Sequence, residues 1–337
     1  MFEYQSIIAE MTGMDIANCS LYDGVTSLAE AALMCSRIKK KKIFIVPKHI
    51  SSDKKSVLKN YTKGSDIEIK LINYDLKSGK IDINHLKKNI DENVAGVYIE
   101  NPNFFGIFED EVDKISKIVK DNEALFVVGI DPISLGITKS PGEYGADIVI
   151  GEGRALGNPM DFGGSSLGLF ACKKEFLRQM PGRIIGLTKD SEDNRAFCMS
   201  LQTREQHIRR GRATSNICTN EGLCALAAVT YLSWLGGKGL EKLSKINFEN
   251  GEKLSDKINS IKGFKKMFSG ANFNEVVIKC DGDPDKINKK LLQKDIHGGL
   301  VLKNEFPELK NCLLFGTTEL HKDEDIENLV SALKEVC

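Results

Sequence analysis

The stretch VAGVYIENPNFFGIFEDEVDKISKIVKDNEALFVVGID, residues 94–131, decides the fold class. Its two ends, VAGVYIEN (94–101) and ALFVVGID (124–131), are short and almost continuously apolar, the pattern of strands buried on both faces. Between them Val112, Ile115 and Val119 recur at i, i+3 and i+7, which gives a helix one apolar face. Strand, helix, strand in that order builds a parallel pair joined by a right-handed crossover. Working outward, KKIFIVP (41–47), EIKLIN (68–73), DIVIG (147–151) and SLGLFAC (166–172) read as further strands. SDKKSVLKNY (52–61) and INHLKKNI (83–90) read as helices among them. The repetition predicts a mostly parallel α/β sheet with helices on both sides.

After Gly239 the pattern changes. GLEKLSKINFENGEKLSDKINS (239–260) reads as a long amphipathic helix, followed by a strand (FNEVVIKC, 273–280) and a helix after Asp283-Pro284. A strand (CLLFG, 312–316) and a last helix (DEDIENLVSALKEV, 323–336) complete the chain. The expected organisation is a large α/β domain over 1–238 and a small α+β domain over 239–337.

The 337 residues carry 47 Lys and Arg against 47 Asp and Glu, so no global field draws the chain to nucleic acid or an anionic membrane. The most apolar run, Gly222 to Leu235, has 14 residues, short of the ~18 that suggest a bilayer span. The opening MFEYQSIIAEMTG lacks the basic-then-apolar order of a secretory signal. A cytoplasmic protein with neither membrane nor nucleic acid as partner is the expectation. Nine scattered cysteines include no CxxC pair, and no metal-ligand spacing occurs, so no metal is expected.

Four segments carry residues fit for chemistry. YDGVTSLAEAALMCSR (22–37) sets Gly24, Thr26 and Ser27 before a small-residue helix, with Ser27 and Glu30 in capping-box spacing. Such a helix start can hold a phosphate, and it reads equally as an ordinary capped helix. Asp131 ends a strand at the edge where α/β sheets bind ligands and can pair with a protonated ring nitrogen; Asp131-Pro132 is also a common turn start. NPNFFG (101–106) ends the neighbouring strand and offers Asn101 and Asn103. QTREQHIRRGRATSNICTNEG (202–222) collects Arg204, His207, Arg209, Arg210, Arg212 and Asn216; if it is helical, Arg204 and His207 share a face, as a recognition surface or a solvated one. GEGRALG (151–157) has the wrong glycine spacing for a dinucleotide fingerprint, and Asn158-Pro159 interrupts any helix after it.

These segments resemble subunit 1 of the two-subunit glycine dehydrogenase (decarboxylating), the P-protein of the glycine cleavage system. The resembling motifs are YQSIIAEMTGMDIANCSLYDGVTSLAEAALM (4–34), NPNFFG, VGIDPISLG (128–136), SPGEYGADIVIGEGRALGNPMDFGGSSLGLFAC (140–172), MPGRIIG (180–186) and LQTREQHIRRGRATSNICTNEGLCALAA (201–228). The resemblance implies the fold type I (aspartate-aminotransferase-like) architecture of pyridoxal phosphate enzymes. It implies a homologous second subunit as partner in a heterotetramer, glycine as substrate, and the lipoyl arm of H-protein as acceptor of the aminomethyl group. It places Asp131 where the pyridine-nitrogen aspartate belongs and Asn101 near the substrate loop, while Gly24 and Thr26, read from the helix start, are the expected contacts to the cofactor's phosphate. Family members carry a further segment ahead of the FEYQSIIAEMTG motif, which here begins at Phe2.

One absence divides the labour. A pyridoxal enzyme needs a lysine amine, normally shortly after the strand that follows the aspartate. No lysine occurs between Lys139 and Lys173, and Arg154 is no substitute because its guanidinium stays protonated. The chain is therefore expected to lack a catalytic residue of its own for this chemistry, and the resemblance implies that the second subunit holds pyridoxal phosphate covalently. The rival expectation is a non-catalytic scaffold descended from the same subunit.

Overall fold

The computed structural model describes residues 1–336. Seven strands form the first sheet: β1 (Ile16–Ala17), β2 (Ile43–Pro47), β3 (Glu68–Ile72), β4 (Val94–Asn101), β5 (Leu125–Ile130), β6 (Ile148–Glu152) and β7 (Gly168–Cys172). Their order is β1-β7-β6-β5-β4-β2-β3, parallel from β6 to β3, with β7 antiparallel to both of its neighbours.

Helices α1 (Phe2–Thr12), α2 (Gly24–Lys39), α3 (Ser52–Lys63), α4 (Ile83–Asn89) and α5 (Val112–Asp121) flank this sheet. The alternation along the strands sorts their side chains into two cores. Ile45, Val97, Ile99, Phe126, Val128 and Val149 face one layer with Val112, Ile115 and Val119 of α5. Phe44, Val46, Tyr98, Val127, Ile148 and Ile150 face the other with Leu28, Ala31 and Ala32 of α2. Each fully buried side chain of this size contributes about 1.5–3 kcal/mol, which makes the central strands the fixed frame of the molecule.

Beyond the sheet lies an exposed hairpin, β8 (Ile184–Lys189) with β9 (Arg195–Ser200), and one turn of helix, α6 (Gln206–Arg209). Helix α7 (Gly222–Asn259) then runs across to a second sheet. Its first half is apolar enough over one 18-residue window, at mean hydropathy 1.2, to cross a bilayer. Gly236 breaks the backbone there with φ 64° and ψ 174°, and Ala225, Ala228 and Leu232 pack into the first core.

The second sheet is antiparallel, β10-β11-β13-β12, from β10 (Phe264–Lys266), β11 (Glu275–Cys280), β12 (Leu300–Val301) and β13 (Cys312–Gly316). It packs on the second half of α7 with α8 (Pro284–Leu292) and α9 (Asp323–Val336). An aromatic seam joins the two parts: Tyr74, Phe105 and Ile107 from the first meet Phe268, Val277, Phe306 and Leu314 from the second. Phe105 stands at its centre, 4.9 Å from Phe268 and 5.1 Å from Phe306 between ring centroids.

Candidate active site

The carboxyl ends of β4, β5 and β6 point to one edge of the first sheet, the edge at which α/β folds build ligand sites. Asp131 follows β5 directly. Its Oδ1 accepts the Ile133 N–H at 2.8 Å, so part of its capacity is spent on its own turn. Burial pushes its carboxyl above the ordinary carboxylate range, the backbone hydrogen bonds from Ile133 and Ser134 oppose this, and the Glu319 carboxylate adds to it.

The start of α2 reaches the same edge. Asp23 is its cap, in extended backbone, with Oδ1 accepting the Thr26 N–H at 2.6 Å and the Thr26 hydroxyl at 2.9 Å. Gly24 donates its N–H to Oε2 of Glu152, the last residue of β6, at 3.0 Å. The other oxygen of Glu152 accepts the N–H of Leu167 at 2.8 Å and of Arg154 at 3.0 Å. Gly24 is required here: a Cβ would stand 3.0 Å from the Glu152 nitrogen and 3.1 Å from the Gly151 carbonyl carbon, too close for the helix to begin against β6.

Two cavities meet at Asp131. A cleft of about 620 Å³ runs from Ile130, Asp131 and Pro132 to Glu152, Arg154 and the loop carrying Asn158 and Met160. A pocket of about 170 Å³ lies on the other side, between Asp131, Glu100, Lys54 and Glu275 of β11. There Lys54 is ion-paired with Glu100, whose Oε1 also accepts the Tyr98 hydroxyl at 2.8 Å. Burial pushes Glu275 up to about 7, with the carboxylates of Asp131 and Glu100 adding to the shift and Lys54 opposing it.

Asn101 ends β4 beside the end of β5, with Asn101 paired in register to Ile130. Its amide is turned to Glu109, with Oδ1 accepting the Glu109 N–H at 3.1 Å and Nδ2 reaching the Glu109 carbonyl at 3.5 Å. Asn103 is buried and holds the carboxylate of Glu109 at 3.0 Å.

The Arg/His stretch divides. Arg204 is a correction to the surface reading: it is 8 % exposed, and its guanidinium holds the carbonyls of Met180 and, at 3.0 Å, Gly182. His207, Arg209, Arg210 and Asn216 are exposed, on the far side of that anchor. The segment does not form the continuous helix that would put Arg204 and His207 on one face, because Leu201 and Arg210 adopt positive φ (56° and 52°) and Glu205 is extended. The capping box is a second correction, since Asp23 and Thr26 form it, while Ser27 and Glu30 are buried inside α2.

Glu152 was not among the expected site residues. It lies within GEGRALG, and only the pairing of β6 beside β7, with α2 starting against both, reveals what it touches.

The arrangement of the first sheet defines the class: a fold type I pyridoxal phosphate architecture, with Asp131 directly after β5 at its ligand-binding edge. A solved sphingosine-1-phosphate lyase of Burkholderia pseudomallei shares this fold at TM-score 0.73 and 14% identity, over 99% of this chain and 75% of that one. The chain belongs to the glycine cleavage system P-protein family, whose profile matches residues 1–333. It is similar to a probable glycine dehydrogenase (decarboxylating) subunit 1 of Thermococcus onnurineus, 49% identical over 338 residues covering 100% of this chain and 75% of the relative. A crystal structure of glycine decarboxylase (P-protein) of the glycine cleavage system in inhibitor-bound form matches at TM-score 0.93 and 38% identity, over 100% of this chain and 75% of that one.

The cofactor of that class does not fit the residues present. Among the described residues Lys54 is the only lysine lining either cavity, and its ammonium is paired with Glu100, which leaves no lone pair for attack. Gly24 and Thr26, expected beside the cofactor, have their N–H groups taken by Glu152 and Asp23. Asp131 alone of the four expected cofactor contacts opens on the cleft.

Proposed function

We propose that this chain is the subunit without the Schiff-base lysine in a two-subunit glycine dehydrogenase (decarboxylating) of the glycine cleavage system. Its partner is a homologous second subunit that holds pyridoxal phosphate covalently, and the pair decarboxylates glycine and passes the aminomethyl group to the lipoyl arm of H-protein. The observation that carries this reading is a family match spanning residues 1–333 on a chain whose expected lysine position is empty of lysine from 140 to 172. Relatives bearing the name subunit 1 support the need for a second chain.

Within such a pair this chain binds and shapes without bonding to the cofactor. The ends of β4 to β6 form a wall, and the exposed Arg209 and Arg210 offer cationic hydrogen-bond donors to carboxylates or phosphates of a partner, with His207 exposed beside them. The boundary between the two domains falls at 238/239 in this reading, supported by the backbone break at Gly236. A heterotetramer, two of each chain, is the expected assembly.

Co-expression with a second subunit tests the proposal. Glycine-dependent exchange of labelled carbon dioxide with H-protein should require both chains, with one pyridoxal phosphate per pair and a light-scattering mass of two pairs. A complex that assembles and stays inactive would establish the scaffold reading in its place.

A further inference from the structure

A helix N-terminus suits a phosphate, because the helix dipole and its first N–H groups converge there, and α2 begins at the ligand-binding edge of the first sheet. In this chain an anion already sits on it. The Glu152 carboxylate collects three N–H donors from three separate segments: Gly24 at the helix start, Arg154 in the turn after β6 and Leu167 before β7. Asp23 occupies the Thr26 N–H beside it, so the first turn meets two carboxylates from within the chain. The cleft that continues from this point is lined by a third carboxylate, Asp131, and its one guanidinium, Arg154, donates to Ser166 at 2.9 Å.

We propose that Glu152 is a tethered anion that fills the phosphate cradle of this chain and excludes phosphomonoesters from it. Removal of that carboxylate turns the end of α2 into a phosphate site. Both parts follow from the same geometry. The donors that bind the carboxylate are those a phosphate would use, and a free dianion entering the cleft has to displace one carboxylate while facing two more. The absent lysine says that no covalent cofactor bond forms here; the Glu152 contacts say that the non-covalent half of the site is closed as well. The inference deepens the subunit reading and takes its meaning from it, but phosphate binding by the full chain alone succeeds or fails whatever activity the pair has.

The test uses the full-length chain, with inorganic phosphate as probe at ionic strength held constant by chloride. In the wild type the amide resonance of Gly24 and the thermal midpoint should not respond to phosphate up to tens of millimolar. In Glu152→Ala the midpoint should fall in chloride and recover with phosphate, and the Gly24 resonance should titrate over the same range. Glu152→Gln keeps the bulk without the charge and should stay unresponsive. Should Glu152→Ala fail to fold in chloride, recovery of soluble folded protein in phosphate, and not in chloride, is the supporting result. A Gly24 resonance that titrates in the wild type would show the cradle open, and a Glu152→Ala chain indifferent to phosphate in both folding and titration would reduce Glu152 to a helix cap; either outcome overturns the proposal.

Discussion

Glu275 carries a pH signature that belongs to one residue. It stands on β11 and faces Asp131 and Glu100 across the seam between the two sheets, with Lys54 the opposing cation. Its carboxyl is raised from an ordinary 4.5 to about 7, so the folded chain binds a proton there more tightly than the unfolded chain does. The stabilising contribution is therefore complete below about pH 4.5 and is lost as pH rises through about 7. Asp131 is shifted in the same direction and its titration is coupled to that of Glu275. In Glu275→Gln the decline in denaturant midpoint over this window should flatten, and a variant that retained the full wild-type slope would place the coupling elsewhere. Asp131 was legible in the sequence as a carboxylate ending a buried strand, with a ligand contact and an ordinary turn start both open as readings, and the structure places it both on the cleft and in its own turn. Arg204 was not: helical spacing put it on a face with His207, whereas backbone turns at Leu201 and Glu205 send its guanidinium inward to the carbonyls of Met180 and Gly182.

At the level of elements the central strands could be read closely from their apolar runs, and β4 has the bounds that the run at 94–101 gives. Hairpin β8–β9 was missed because its apolar residues do not alternate with burial: Leu187 and Phe197 are exposed, and only Ile184 is buried. The start of α2 shows a subtler limit. Capping-box spacing points to Ser27 with Glu30, yet the cap lies four residues earlier, at Asp23. The backbone chooses: Asp23 has φ −158° and ψ 171°, while Ser27 already lies within the helix and donates its hydroxyl to the Asp23 carbonyl at 2.8 Å. Asp23→Ala should cost about 1 kcal/mol in urea unfolding, and Asp23→Asn markedly less, since an amide oxygen still caps. Equal losses in both would mean that the favourable charge of the carboxylate at the helix N-terminus, rather than the cap hydrogen bond, governs Asp23. Glu152 escaped the sequence reading for a topological reason, because nothing local in GEGRALG says that β6 ends against a helix whose first residue lies more than a hundred positions earlier.

The whole molecule leaves one feature that its own packing does not use. The first half of α7 buries Ala225, Ala228 and Leu232, yet its outward side shows Leu223 at 81 % exposure and Trp234 at 91 %, with Leu226 also exposed. The loop that lines the active-site cleft leans on this helix, since a Cβ at Gly157 would come within 2.6 Å of Tyr231, and the same loop exposes Met160 and Phe162. Within the proposed pair, the second subunit is the expected occupant of this apolar face, which lies beside the loop that lines the cleft. Tryptophan is the residue whose loss costs most at such surfaces, about 2 kcal/mol or more, which is roughly 30-fold in Kd. Trp234→Asp should therefore weaken association with the second subunit by at least that factor in sedimentation or calorimetric titration. The thermal midpoint of the isolated chain should stay within the range of an ordinary surface substitution, because so exposed a ring contributes little to the chain's own core. Unchanged affinity with Trp234→Asp and Leu223→Asp combined would remove this face of α7 from the interface, and an isolated chain that lost stability with it would show that the ring packs within the chain.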